Sequence, residues 1–293
     1  MSTPIISQVG FNSAGLRGET VVVTGGGGGI GFEAARALLW LGAQVVIAEI
    51  HAANGMQAAE KLVAEFDPEH IAFVRTNVGD EDSVHDLCQE VLRCFGKVDA
   101  SINNATTAVL GQVKNLPIEQ WDAIYRVNLR GPVLLARAFL PDMIKRKRGT
   151  FVCVSSTGTA FLCGYGIFKA AQVHLANTLD EELEGTGVNA FTIGPGLVPT
   201  RTASRAVEQL ALLMGTTVEE FFALNKNAVL TPAEAGAGFA ASIVFAEQFK
   251  GMEISSFHPL KAADINFGAE GEQKGCGKID GKPAACLWLA RRS

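Results

Sequence analysis

The sequence predicts an α/β fold, in which helices cover both faces of a doubly wound parallel sheet of about seven strands. Two observations carry this prediction. Short apolar, β-branched runs alternate with helical patterns over most of the chain, as expected for strands that are buried on both faces. A run of five glycines also separates the first strand from the first helix, at the sheet edge where such folds bind ligands.

The predicted elements follow one another in a regular order. Strands are predicted at about 20–24, 44–49, 71–74, 98–102, 150–154, 188–193 and 252–257. Helices are predicted at about 29–41, 84–95, 121–146 and 168–184, the third of them broken near Gly131 and Pro132. Residues 1–17 are expected to precede the core.

Composition excludes several classes of protein. The chain has 293 residues, of which 48% are apolar, enough for one large domain. A net charge of −5 argues against non-specific nucleic-acid binding. The sequence contains no apolar run long enough to span a membrane and no secretory signal pattern. The six cysteines and five histidines lack metal-binding spacing, so we expect no metal site and reduced thiols in a cytoplasmic protein.

The glycine run Gly25–Gly29 predicts a phosphate-binding loop. It lies between the apolar strand Val21–Val23 and a helix with an apolar face. Glycine costs about 1 kcal/mol relative to alanine inside a helix, so the run belongs to a loop. Glycine permits positive φ and close approach of a ligand, and the N-terminus of the next helix attracts anions. The alternative is a flexible linker, but linkers rarely connect a buried strand to an amphipathic helix.

With Thr24 before it and Ile30 and Gly31 after it, this loop has the pattern T-G-x-x-x-G-I-G. The pattern resembles that of the short-chain dehydrogenase/reductase family in its shorter, single-domain form. Further motifs of this family follow in its order: Asn77-Val78, Asn103-Asn104-Ala105-Thr106, Tyr165-Gly166-Ile167-Phe168-Lys169 and Pro195-Gly196-Leu197-Val198-Pro199-Thr200.

The resemblance covers residues 16–257 and implies a Rossmann-fold core of that extent within one domain, 1–293. A substrate lid is expected over residues 200–230. An atypical, glycine-rich C-terminal extension, 258–293, is either disordered or docked on its own or a neighbouring subunit.

The resemblance also implies a dinucleotide site along the carboxyl ends of the strands. Glu49 ends the second strand, and a carboxylate there binds the ribose hydroxyls of NAD and repels the 2′-phosphate of NADP. NAD is favoured over NADP because no arginine or lysine stands at Gly28 or directly after Glu49. The other positions that the family uses for the cofactor are Gly25, Gly29, Ile30, Gly31, Asn77, Val78, Asn104, Ala105, Tyr165, Lys169, Pro195, Val198 and Thr200.

Three features depart from the family pattern. Asn77 replaces an aspartate that holds the adenine, although its amide oxygen can still accept a hydrogen bond. Thr106 replaces a glycine and adds a side chain near the cofactor. The gap from Ser156 to Tyr165 is shorter than usual, which indicates either a loop deletion that reshapes the substrate pocket or a damaged site.

The pair Tyr165 and Lys169 carries the predicted chemistry. The spacing of four places both side chains on one helix face, one turn apart. A phenol is a poor base at neutral pH because its pKa is near 10, and a nearby cation favours the phenolate. The resemblance implies that Tyr165 is the general acid/base and that Lys169 also binds the nicotinamide ribose. It further implies that Ser156, with Ser155 as the alternative, steadies the substrate oxygen and that Asn128 supports a water on a proton path to solvent.

The resemblance therefore implies an NAD-dependent oxidoreductase that interconverts a secondary alcohol and a ketone by hydride transfer, working as a homodimer or homotetramer. The many apolar residues of the lid indicate either an apolar substrate or packing of the lid on the core. A non-catalytic dinucleotide-binding redox sensor or subunit is the alternative class, and the three departures favour it. A sugar-nucleotide epimerase or dehydratase is disfavoured, because those relatives have a larger C-terminal domain.

Overall fold

A computed structural model describes residues 4–8, 12–156 and 160–263 of the chain. Its centre is a seven-stranded sheet with the strand order β3-β2-β1-β4-β5-β6-β7, and all neighbouring strands are parallel. The strands are β1 Thr20–Thr24, β2 Gln44–Glu49, β3 Ile71–Arg75, β4 Ala100–Asn103, β5 Gly149–Val154, β6 Val188–Gly194 and β7 Glu253–Ser255. The prediction of a doubly wound parallel sheet is confirmed.

Helices cover both faces of this sheet. Within the described residues, the α-helices are α1 Gly29–Trp40, α2 Ala52–Val63, α3 Glu81–Phe95, α4 Ile118–Tyr125, α5 Gly131–Arg146, α6 Cys163–Glu182, α7 Arg201–Met214, α8 Val218–Leu224, α9 Pro232–Val244, α10 Ala246–Phe249 and α11 Phe257–Ala262. None of these helices is long and apolar enough to cross a membrane. The same residues contain no group of three His, Cys, Asp or Glu side chains that could hold a metal ion.

Consecutive residues of β1 face opposite sides of the sheet and enter different cores. Val21 and Val23 pack in a cluster with residues of α1 and α9, whereas Val22 packs in a second cluster with residues of α3 and α5. The strand order reverses between β1 and β4, which are direct neighbours. Ligands bind at such a reversal, and the loops after β1 and β4 meet there.

The long helix predicted at 121–146 is three segments in the structure. α4 ends at Tyr125, a π-helical turn occupies Arg126–Arg130, and α5 begins at Gly131. The chain departs from regular α-helix before Gly131, and Pro132 stands in the first turn of α5. Proline fits there because the first turn of a helix does not use its N–H groups.

Two predicted boundaries near the site were wrong. α6 begins at Cys163 instead of Phe168, so Tyr165 lies inside the helix. β4 begins at Ala100 instead of Val98; the buried Asp99 carboxylate, just before it, accepts a hydrogen bond from the Thr20 backbone N–H. The edge strand β7 spans only Glu253–Ser255 and is shorter than the predicted strand at 252–257. The C-terminal extension lies outside the described residues from position 264 onward.

Candidate active site

The glycine loop has a backbone that only glycine adopts readily. Gly25 and Gly29 have φ angles of 66° and 55°, in the left-handed region. A Cβ atom on Gly31 would lie 2.7 Å from Asn104 Nδ2 and would also collide with the carbonyl oxygen of Gly25. Around Gly28, by contrast, a Cβ would meet no atom within 4 Å. The loop therefore turns tightly and leaves open space at the N-terminus of α1, as an anion site requires.

The end of β4 braces this loop. Asn104 Nδ2 donates hydrogen bonds to the carbonyl oxygens of Thr24 at 3.0 Å and Gly25 at 3.3 Å. The backbone N–H of Ala105 donates to Thr24 Oγ1 at 3.0 Å. The predicted residues Asn104 and Ala105 thus stabilise the shape of the glycine loop. The Thr24 hydroxyl, which was not predicted to take part, links the ends of β1 and β4.

Glu49 lies against the glycine loop from the end of β2. A Cβ on Gly27 would lie 2.8 Å from Glu49 Oε2, and the backbone N–H of His51 donates to Glu49 Oε1 at 3.0 Å. Arg75 stands opposite Glu49 in the sheet register, and its Nε donates to the carbonyl oxygen of Ile50. The structure thus places a positive side chain on β3 beside the predicted ribose-binding carboxylate, which the sequence pattern did not reveal.

Asn77 and Val78 follow β3, as predicted. Asn77 Oδ1 accepts a hydrogen bond from the backbone N–H of Gly79 at 3.1 Å, so the amide oxygen that was expected to meet the adenine is engaged locally. A carbonyl oxygen has a second lone pair, which leaves one acceptor position on Asn77. Val78 is buried.

The segment after β6 meets the glycine loop. A Cβ on Gly29 would lie 3.2 Å from Thr200 Cγ2, while Thr200 Oγ1 accepts a hydrogen bond from Ala203 N–H and caps α7. Val198 is buried and Pro195 is half-buried. The structure therefore brings this predicted motif to the same sheet edge as the loop after β1.

The Tyr165 phenol lies in the first turn of α6 and interacts with the Ser156 hydroxyl, just after β5. Burial raises the pKa of Tyr165 above its ordinary value, and the interaction with Ser156 acts to lower it. Ser155 is buried and its backbone N–H pairs with the carbonyl oxygen of Ile193. Of the two candidate serines, Ser156 is therefore the one beside the phenol.

Lys169 is buried one helical turn after Tyr165. Its Nζ donates a hydrogen bond to the carbonyl oxygen of Val154 at 2.6 Å. Burial lowers the pKa of Lys169 to about 8, partly offset by the nearby Cys153 thiol, whose own pKa is raised by burial to about 12. The expected effect of Lys169, which favours the Tyr165 phenolate, does not outweigh burial, which raises the pKa of Tyr165. Both side chains are removed from water, and desolvation disfavours the charged form of each.

Asn128 lies in the π-helical turn and is fully buried. Its Oδ1 accepts hydrogen bonds from Thr106 Oγ1 at 3.1 Å and Thr107 N–H at 3.0 Å, and its Nδ2 donates to the carbonyl oxygen of Thr107 at 2.8 Å. Its backbone carbonyl accepts a hydrogen bond from Gln172 Nε2. The groups of Asn128 that were expected to hold a water are thus bound to protein. Sequence reasoning missed Gln172. The feature that could have revealed it is a polar residue three positions after Lys169, on the same helix face.

The short connection before α6 has unusual backbone angles. Phe161 and Cys163 have φ angles of 69° and 46°, which cost about 1–3 kcal/mol each in residues other than glycine. Phe161 lies four residues before Tyr165 and Cys163 two residues before it, at the start of α6, and 157–159 lie outside the described residues. Such strain persists only where the surrounding structure imposes it, as it does at many functional sites.

The lid packs on this strained connection. Buried lid residues form an apolar cluster with Leu110 and Leu197 of the core and with Phe161 and Leu162 of the connection; the lid members are Val207, Leu210 and Phe221. Leu212 and Leu224 are instead 81% and 74% exposed. Packing of the lid on the core therefore accounts for part of its apolar sequence.

A cavity of about 400 Å³ lies between the lid and the loop after β4. Its lining carries no charged side chain and consists of Leu110, Gly111, Gln112, Asn115, Leu116, Pro117, Gln120 and Leu213. Neutral amides and apolar groups suit an uncharged molecule, because a charged one would lose its hydration without a partner.

Comparison with known proteins identifies the family. A family model described as short chain dehydrogenase matches residues 19–211. An uncharacterized oxidoreductase of Thermotoga maritima is 34% identical over 190 residues, which cover 63% of this chain and 73% of that protein. Dehydrogenase/reductase SDR family member 7B of Mus musculus is 31% identical over 206 residues, 67% of this chain but only 62% of the mouse protein.

Solved structures share the fold. The structure of levodione reductase has a TM-score of 0.75 at 23% identity and covers 82% of this chain and 96% of that chain. NAD⁺-bound xylitol dehydrogenase has the same TM-score at 21% identity, with coverages of 82% and 98%. The family match on residues 19–211 spans every predicted site residue, from Gly25 to Thr200. The chain belongs to the short-chain dehydrogenase/reductase family.

Proposed function

We propose that the protein is an NAD-dependent oxidoreductase that interconverts a secondary alcohol and a ketone. The observation that carries this proposal is the interaction of the Tyr165 phenol with the Ser156 hydroxyl, one helical turn from the buried Lys169. Membership of an oxidoreductase family supports the reaction class. A sensor would need the dinucleotide site but not these three side chains together.

The residues at the sheet edge fit a nicotinamide dinucleotide. The open space at Gly28 and the first N–H groups of α1 suit a pyrophosphate, and the Glu49 carboxylate over Gly27 suits two ribose hydroxyls. NAD is favoured over NADP because Glu49 would repel a 2′-phosphate and Arg75 is hydrogen-bonded to Ile50. When bound, the nicotinamide ring supplies the hydride acceptor or donor.

The chain itself supplies the proton chemistry. Because burial raises the pKa of Tyr165, its phenol is protonated at neutral pH and can donate a proton to a carbonyl oxygen during ketone reduction. Alcohol oxidation requires the phenolate as the base, so its rate increases with pH. Ser156 holds the substrate oxygen, and Lys169, with a pKa of about 8, can exchange a proton close to neutral pH.

We propose a small-molecule alcohol or ketone as the substrate. A homodimer or homotetramer is proposed from apolar side chains on α4, α5 and α6 that are exposed in the single chain, namely Tyr125, Val133, Ile144 and Ile167. The proposed compartment is the cytoplasm, since the described cysteines Cys88, Cys94, Cys153 and Cys163 are free thiols.

The test measures NADH formation from NAD with a panel of uncharged secondary alcohols, including steroid and polyol types, and the reverse reaction with the matching ketones. Tyr165→Phe removes the acid/base hydroxyl, and we expect turnover to fall by at least about 100-fold while NADH still binds. The chain has two tyrosines, so Tyr125→Phe is the matched control and keeps activity. Tight NADH binding without turnover on any substrate would instead support the redox sensor.

A further inference from the structure

Gln172 occupies a buried position on α6 beside the proposed acid/base pair. It lies three residues after Lys169, which places both on the same side of the helix, and it is 0% exposed. The next residues on this helix face, Ala176 and Leu179, are apolar and buried. A buried amide destabilises the fold unless its polar atoms are hydrogen-bonded, so the position of Gln172 calls for polar partners.

One end of the Gln172 amide has such a partner. Nε2 donates a hydrogen bond to the backbone carbonyl of Asn128, at the centre of the π-helical turn. A π-helical turn interrupts the regular hydrogen-bond pattern of an α-helix. Gln172 thus ties the Asn128 peptide to α6, the helix that carries Tyr165 and Lys169.

The other end of the amide has no partner. Gln172 Oε1 is buried and accepts no hydrogen bond from any described residue. Leaving a buried acceptor unpaired costs about 1–3 kcal/mol. Lys169 has three N–H donors, and only the bond to the Val154 carbonyl is formed within the described part of the chain. Spare donors and a spare acceptor therefore lie on neighbouring, buried positions of one helix face.

We propose that Gln172 is a positioning residue for Lys169: its Nε2 holds the Asn128 carbonyl, and its Oε1 accepts a hydrogen bond from one buried water to which the Lys169 ammonium also donates. The Gln172 amide and this water then join Asn128 to Lys169. The hydrogen bond stabilises the charged form of Lys169 against the effect of burial. The contact stands independently of the reaction, and only its effect on turnover rests on the proposed function.

Other groups around Lys169 cannot replace this contact. Its titratable neighbours are Tyr165 on the same helix and Cys153 on β5, and the Cys153 thiol is neutral because burial raises its pKa to about 12. β6 carries no titratable residue, and in the π-helical turn Arg130 donates to the Gly79 carbonyl. The remaining titratable side chains on the turn and on α4 are exposed, namely Glu119, Asp122, Tyr125 and Arg126.

The test follows the Lys169 Nζ resonance by ¹⁵N NMR against pH in lysine-labelled protein, with Lys169→Met to assign the signal. Gln172→Met removes the acceptor while keeping the side-chain length, and we expect the pKa of Lys169 to fall by about one unit. Gln172→Glu places a carboxylate there and is expected to raise it. Asn177→Met changes an exposed amide of the same helix and serves as the matched control.

Opposite shifts in the two Gln172 variants support the proposal, because a purely structural role would not move the pKa of Lys169 in opposite directions. An unchanged pKa in both variants overturns it. If Gln172→Met does not fold, as judged by circular dichroism, the Gln172→Glu shift alone decides.

Turnover separates this inference from the proposed function. In Gln172→Met we expect kcat for alcohol oxidation to fall about tenfold with the Kd for NADH unchanged. If the pKa of Lys169 shifts as expected but neither the wild type nor any variant shows turnover, the contact is supported and the oxidoreductase proposal is refuted. Full turnover together with an unchanged pKa of Lys169 in both Gln172 variants would keep the oxidoreductase proposal and refute the contact.

Discussion

The Thr106 hydroxyl donates a hydrogen bond to Oδ1 of Asn128, 22 residues further along the chain. The bond connects the loop after β4 with the π-helical turn. Thr106 is the residue that departs from the glycine of the family motif. Its side chain is therefore accommodated by a bond to Asn128.

Replacing Thr106 with glycine is expected to lower the free energy of unfolding by about 1–2 kcal/mol. The variant loses one part-buried hydrogen bond and gains backbone freedom in the unfolded chain. Urea denaturation measures the change. Thr106→Ser keeps the hydroxyl and should unfold close to the wild type. Equal loss in both variants would show that the methyl group, and not the hydrogen bond, matters.

Changing Glu49 to glutamine is expected to lower the preference for NAD over NADP at least about tenfold. The substitution removes the negative charge that opposes a 2′-phosphate, while Arg75 remains on the neighbouring strand. The measured quantity is the ratio of kcat/KM with the two cofactors. Glu60→Gln makes the same charge change on the exposed side of α2 and controls for net charge. A ratio unaffected by Glu49→Gln would refute the ribose-binding role.

The contribution of Lys169 to the stability of the protein is expected to rise with pH between about 8 and 10. Burial lowers the pKa of Lys169 in the folded protein to about 8, from an ordinary value of 10.5. Above that ordinary value both states are neutral at this residue. As the pH falls toward 8, the unfolded chain binds a proton that the folded protein does not, so stability is lost.

Lys169→Met is therefore expected to gain stability over the wild type as the pH is lowered through this window, by up to about 1.4 kcal/mol per pH unit. Urea denaturation of both proteins across the window measures the difference. Lys61→Met, at an exposed position on α2, controls for the loss of one positive charge. A difference that stays constant with pH would contradict burial of a neutral Lys169.

The sequence predicted the first half of the sheet closely. β1 and β2 agree with their predicted bounds, and α1 ends within one residue of its predicted end. These elements are marked by local features, namely the glycine run and uninterrupted apolar segments. The start of α6 was missed because the residues before Phe168 include Gly164 and Gly166, which are poor helix formers and fit this helix only through its tertiary packing.

The sequence by itself determined the α/β class, the position of the glycine loop and the spacing of Tyr165 and Lys169, because each is a pattern of neighbouring residues. Only the tertiary structure decided that Ser156 stands beside Tyr165 and that Gln172 binds the Asn128 carbonyl, 44 residues away in the chain. Contacts between such distant residues leave no periodic signal in the sequence. The same holds for the pKa values of Tyr165 and Lys169, which are set by how much water the folded chain removes from each side chain.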